Sequence, residues 1–184
     1  MSSARKNGHL YRSLQSMSVI PLLVLALIIT VFSYYAVKQA MHTEVHIELR
    51  NTAENVMMMY DLLYPGDYYL EGTNSYDFYK GTQNLTDDHS IVDRLKADTQ
   101  TDVTIFYQDN RILTTICNTE CLRITGTGAG ALVIQDVLFS GQPHFYTNTE
   151  INGQQYFAYY TPLRNSDGSI VGMIYAGKPC TEVN

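Results

Sequence analysis

Residues 103–116 read Val-Thr-Ile-Phe-Tyr-Gln-Asp-Asn-Arg-Ile-Leu-Thr-Thr-Ile. Two β-rich runs, Val103–Gln108 and Arg111–Ile116, flank Asp109-Asn110, a pair suited to a tight hairpin. A two-residue turn sets Gln108 against Arg111, Phe106 against Leu113 and Thr104 against Thr115. One face then carries Val103, Ile105, Tyr107, Ile112, Thr114 and Ile116, an apolar set expected in the core. The other holds Thr104, Phe106, Gln108, Arg111, Leu113 and Thr115, a mixed surface with a fixed cation. Carried through the Cys117–Cys121 turn, the register places Arg123 opposite Thr115, so both arginines land on the mixed face.

Downstream, His144–Ile151 and Gln154–Pro162 flank Asn152-Gly153, the strongest short hairpin signal. That register groups Phe145, Thr147, Thr149, Tyr156, Ala158 and Tyr160. Asn165–Gly168 turns again, and Ser169–Gly177 reads as a last apolar strand in a central position. Between the hairpins, Gly126, Gly128 and Gly130 precede a helix expected over Ala131–Ser140, with Gly141 as its stop. The glycines lack the Lys-Ser/Thr of a phosphate loop and the spacing of a dinucleotide fold, so they read as a flexible corner. Upstream, Thr86 or Asp87 is placed to cap a short helix through Ala97 that buries Ile91 and Leu95. Residues 67–83, polar, aromatic and glycine-punctuated, read as irregular.

At the N-terminal end, Met17–Val37 carries no charge in 21 residues, matching the ~20 apolar residues that cross a bilayer. Tyr34 and Tyr35 fall where interfacial rings belong, and Pro21 is expected in the first turns of the helix. The run is too long for a signal peptide, and no convincing cleavage site follows it. Arg5, Lys6 and Arg12 precede it without an acidic residue, while nine basic and all eighteen acidic residues follow. The positive-inside rule therefore puts the tail in the cytoplasm and residues from about 38 onward outside. Met41, Val45, Leu49, Ala53, Val56, Tyr60 and Leu63 then draw one helical stripe, which Pro65-Gly66 stops. The stripe is long enough to seat a second copy as well as the domain. His42 and His46 stand one turn apart without the pattern of a zinc protease and read as solvated surface.

The rest of the chain is one domain in size. Its acidic balance argues against nucleic acid. Neither a nucleophile–base pair, a carboxylate pair nor a metal set emerges, so no enzyme and no cofactor is expected. Cys117 and Cys121 flank only Asn-Thr-Glu and are read as a disulfide or as free thiols, an exterior setting permitting the former; Cys180 is unpaired.

The segments Thr101–Phe106, Arg111–Thr115, Gly126-Thr127, Tyr156–Leu163 and Asp167–Pro179 together resemble the single Cache domains of bacterial receptors, in family order over residues 100–179. The resemblance implies an α+β fold: a PAS-like antiparallel sheet, a long N-terminal helix behind it and a small-ligand pocket in front. It also implies a second membrane helix beyond residue 184 and an output module of chemoreceptor (methyl-accepting), histidine kinase or cyclase type. The expected organisation is a cytoplasmic tail (1–16), a transmembrane helix (17–37) in the bacterial plasma membrane, a membrane-proximal helix (38–64), an extracytoplasmic sensor (65–180) and a stub (181–184). The expected function is ligand sensing by a homodimer; the alternative is a membrane-anchored structural or adhesive protein without a pocket. For Arg111 and Arg123, either acidic neighbours or water satisfy the charge, or the pair clamps a small carboxylate with Phe106 as a wall and Tyr156 and Tyr160 as donors.

Overall fold

The computed structural model describes residues 3–72 and 77–182, and the chain divides into two compact units, Met1–Thr43 and Glu44–Asn184. Residues 73–76 of the segment read as irregular, and residues 183–184 of the C-terminal stub, lie outside the described residues.

The first helix, α1 (Ser3–Leu63), begins in the first unit. Its apolar residues from Val19 to Val37 are exposed, and the helix is long and apolar enough to cross a membrane. Thr30 donates its hydroxyl to the Ala26 carbonyl at 2.8 Å, which satisfies a polar group within the helix, as a lipid setting demands. Pro21 is not in the first turns: the helix starts at Ser3, so the proline is interior. Membrane helices tolerate that position.

In the second unit, Val45, Leu49, Ala53, Val56 and Tyr60 are buried in one cluster with Val103, Ile105, Leu113, Phe157, Tyr159, Ile174 and Ala176. The stripe is thus taken up by the chain's own sheet, and it ends at Tyr60, since Leu63 is exposed. His46 is not solvated surface; its ring stacks on Phe145 at 4.6 Å.

Residues 67–83 are not irregular throughout. They form β1 (Tyr68–Glu71) and β2 (Asp77–Lys80), which with β3 (Gln83–Asn84) make a small antiparallel sheet. Tyr69 stacks on Tyr79 at 5.3 Å, a cross-strand aromatic pair that offsets the weak propensity around it. The next helix, α2 (Ser90–Thr99), starts later than its expected caps and has no side-chain cap. Thr86 instead accepts a bond from the Phe78 amide at 2.8 Å, so the small sheet has claimed that hydroxyl. Ile91 and Val92 are buried, and Leu95 packs against the same cluster.

The main sheet contains β4 (Asp102–Tyr107), β5 (Asn110–Thr114), β6 (His144–Ile151), β7 (Gln154–Arg164) and β8 (Ile170–Pro179). Its order is β5-β4-β8-β7-β6, antiparallel throughout, with the last strand central as expected. Asn152 (φ 51°) and Gly153 (φ 77°) both take the left-handed conformation that a primed hairpin turn requires. One face of the sheet meets α1 and α2. The other carries a second cluster containing Phe106, Ile116, Tyr156, Ala158, Tyr160, Met173 and Tyr175, covered by Val133 and Val137. Those two belong to α3 (Ala131–Val133) and the π-helical turn Ile134–Phe139 that continues it.

Both hairpins depart from ideal register. In the first, Tyr107 pairs with Asn110 and Phe106 with Arg111, but Ile105 pairs with Leu113, so Ile112 is left without an opposite residue. The turn falls one residue early because its tip is held from outside. Gln108 donates its amide to the Val171 carbonyl at 2.6 Å, and Asp109 accepts from the Ala129 amide at 2.8 Å. A bulge reverses the alternation beyond it: Arg111 stays with Phe106, Leu113 joins Ile105 in the helix-side core, and Thr114 hydrogen-bonds Thr104 at 2.7 Å. Ile116 likewise moves to the Phe106 side. In the second hairpin, Thr149 pairs with Tyr156 as expected, but Tyr146 pairs with Ala158. Phe145 therefore packs with the helix-side cluster, and Tyr146 takes its place beside Tyr160 at 5.8 Å.

Candidate ligand pocket

Between the open face of the sheet and the loop leading into α3 lies a cavity of about 310 Å³. Its walls come from Arg111, from Ile124 and Thr127–Gly130, from Val133, and from Thr149–Asn152 and Tyr160. The glycine-rich segment read as a flexible corner is thus a wall. It is tied to the first hairpin by amide bonds from Arg111 to Thr127 (3.0 Å) and from Gly126 to Arg111 (2.8 Å).

Arg111 is the distinctive group. It is only 6 % exposed, and its Nε has no hydrogen-bond partner. Among the described residues no acidic group pairs with it. Its guanidinium lies over the Phe106 ring at 5.3 Å, a cation–π contact that orients it. Burial pulls its pKa below the usual arginine range, while Tyr160, Tyr175 and Tyr156 act in the opposite sense. Tyr160, 3 % exposed, stands 6.3 Å from Phe106 and 5.1 Å from Tyr175, centroid to centroid. Its own pKa is pushed up to about 12 by burial, against the lowering influence of Arg111. The Tyr175 hydroxyl is buried without a partner. The turn roofing this cluster is held by Tyr146, which donates to Asp136 at 2.9 Å. A buried cation without a counter-charge is costly, and an acceptor-rich anion in the cavity relieves it; the Tyr175 hydroxyl lies over Gly177 of its own strand, outside the cavity wall.

Of the residues singled out from the sequence, Arg111 and Tyr160 line the cavity, while Phe106 and Tyr156 lie in the cluster beneath it. Arg123 does not join them. It pairs with Cys117 rather than Thr115, and beyond the Ile112 bulge that register turns it toward α2. There it grips Asp93 through two bonds of 2.9 and 2.7 Å and donates to the Thr114 carbonyl at 2.6 Å. The acidic neighbour allowed for at the outset therefore serves Arg123 and not Arg111. Cys117 and Cys121 are exposed free thiols and form no disulfide in the structure; the Asn118 side chain and backbone close the turn between them instead. Sequence reading missed Thr149 and Ile151 in the wall, and Tyr175 in the cluster beneath it. Tyr175 was recoverable, because a central strand paired with β7 must place alternate residues beside Tyr160.

Residues 83–184, more than half the chain, match the family model described as single Cache domain 3. Among solved structures, the chain is similar to the crystal structure of the sensor domain of E. coli DcuS. The identity is 14%, over 79% of this chain and 92% of that one, with a TM-score of 0.47. No curated protein sequence matches.

Proposed function

The chain belongs to the single Cache domain 3 family, and from that premise we propose that it is the extracytoplasmic input domain of a bacterial signal-transduction receptor, binding a small organic acid. The observation that carries this reading is Arg111, a nearly fully buried guanidinium that faces a cavity and has no acidic partner. Guanidinium recognises carboxylates by paired, charge-assisted hydrogen bonds. An acid bound there also meets Tyr160 in the cavity wall and neutralises a charge that burial otherwise makes expensive.

The route from pocket to helix runs through β8. Tyr175 and Met173 belong to the pocket-side cluster, while Ile174 and Ala176 belong to the helix-side cluster. Lys178, on the same strand, reaches Glu48 of α1 at 2.5 Å. A ligand that prefers one placement of β8 shifts the population of α1 arrangements by its differential affinity, and by no more than that. The receptor works as a homodimer through the outer face of α1, where Ile47, Met58 and Leu62 are exposed. At ~100° per residue these three fall within about 60° of one another, opposite the buried stripe. The basic tail places the N-terminus in the cytoplasm and the sensor outside.

Calorimetric titration of the full-length protein in detergent micelles with small carboxylates tests the reading. Binding of an acid, lost in Arg111→Gln, is expected. At 100 times its Kd such a ligand adds about 2.7 kcal/mol of stability. Acid binding that survives Arg111→Gln would place the site elsewhere.

A further inference from the structure

We infer that the acid is a monoanion, a small monocarboxylate with an apolar or hydroxylated body, and not a di- or tricarboxylate. This rests on the organic-acid reading above and narrows it. The cavity walls include one cation, Arg111. Arg123, Lys96 and Lys178 are engaged by Asp93, Asp102 and Glu48, and none of them lines the cavity. Facing Arg111 are Ile124, Val133 and Ile151, which are apolar, and Thr127, Thr149 and Tyr160, which offer hydroxyls. Asn152 and the Gly128–Gly130 segment complete the wall, and Glu150, which is exposed, adds negative charge at the rim.

Charge counting then selects the ligand. One carboxylate balances Arg111, and its two oxygens accept from a guanidinium whose Nε lacks a partner. A second carboxylate on a short acid would find only neutral donors, such as the Thr127 and Thr149 hydroxyls and the Asn152 amide, beside apolar walls and Glu150. No second cation meets it there, and a buried charge without a counter-charge is strongly disfavoured. At about 310 Å³ the cavity is at the small end of ligand sites, which keeps both ends of a short diacid within these walls. A body of two or three carbons with a hydroxyl or keto oxygen fits the remaining groups.

Full-length protein in detergent micelles, titrated at pH 7 with propionate, L-lactate, pyruvate, succinate, L-malate and neutral lactamide, separates the cases. At least one monocarboxylate is expected to bind tenfold or more tighter than succinate and malate, with lactamide silent. Ile151→Lys, checked for folding by circular dichroism, introduces a second cation and is expected to move the preference tenfold or more toward the diacids. Succinate or malate binding as tightly as the monocarboxylates in the parent overturns the monoanion inference and leaves the acid reading standing. Lactamide binding as well as lactate, or no acid binding at all, overturns both. A folded Ile151→Lys protein with unchanged preference overturns the charge-counting basis.

Discussion

Arg111 and Arg123 point to opposite sides of the sheet, and the single unpaired residue Ile112 lies between them in register. Arg111 remains over Phe106, whereas Arg123 is delivered to Asp93 on α2. Two cations of similar sequence setting thereby acquire different roles. One is neutralised within the fold, and the other lines the cavity with no acidic partner among the described residues.

The first expectation follows directly. Arg123→Ala and Asp93→Ala should each lower stability modestly. A double-mutant cycle should give a coupling of about 1 kcal/mol, the upper end for a partly exposed pair, raised by its bidentate geometry. Ligand affinity should stay within a factor of two. Denaturant titration supplies the first quantity and calorimetry the second; loss of binding in a folded Arg123→Ala protein would return that arginine to the pocket.

What the sequence disclosed and what it hid divide at the bulges. Alternation placed Phe106 with Arg111 and Tyr156 with Tyr160, and the primed turn at Asn152-Gly153 fixed the far end of the second hairpin. Nothing in Arg111–Thr114 marks Ile112 as the extra residue. It is specified by distant groups, the Ala129 amide on Asp109 and the Val171 carbonyl on Gln108. Beyond such a residue every face assignment inverts, which is why Leu113, Ile116, Arg123 and Phe145 were read on the wrong sides. The helical stripe was legible because its period is local. Which partner covers it was not, since a sheet and a second helix present the same apolar demand.

Alkaline titration probes the tyrosines buried on both faces of the sheet. Burial raises the folded-state pKa of Tyr160 to about 12, above the ~10 of an unfolded tyrosine, and raises those of Tyr60, Tyr68 and Tyr175 as well. The folded state therefore holds these protons more tightly, and stability is unaffected below pH ~10 and falls as pH climbs toward ~12. Tyrosinate absorbance and circular dichroism followed together should show part of the tyrosine signal appearing only with unfolding. Complete ionisation by pH ~11.5, where a free tyrosine is almost fully ionised, with the fold intact would contradict the burial of these tyrosines.

The two exposed thiols report orientation. Cys117 and Cys121 are free and solvent-accessible, so a membrane-impermeant maleimide should label them in intact cells, after mild reduction if the exterior has oxidised them. Labelling that needs the reductant would reveal a disulfide absent from the structure. Labelling only after the membrane is permeabilised would put the domain in the cytoplasm and remove the extracytoplasmic reading.

The two sides of α1 should behave differently. Leu49 and Val56 are fully buried against the sheet, and Leu49→Ala should cost 2–5 kcal/mol, the usual range for a core leucine. Met58 and Leu62 are 63 % and 81 % exposed; their alanine variants should change the stability of the domain by less than about 0.5 kcal/mol. If the outer face is the homodimer seam, single cysteines at Ile47, Met58 and Leu62 in membrane-embedded protein should cross-link readily. Cysteines at Leu49 and Val56 should not, because the sheet of the same chain covers them. A ligand-dependent change in cross-linking rate at Ile47, close to the Glu48–Lys178 ion pair, would show that pocket occupancy reaches the helix. Equal cross-linking on both sides of α1 would mean that neither face is a defined seam, and dimerisation would have to be sought elsewhere in the chain.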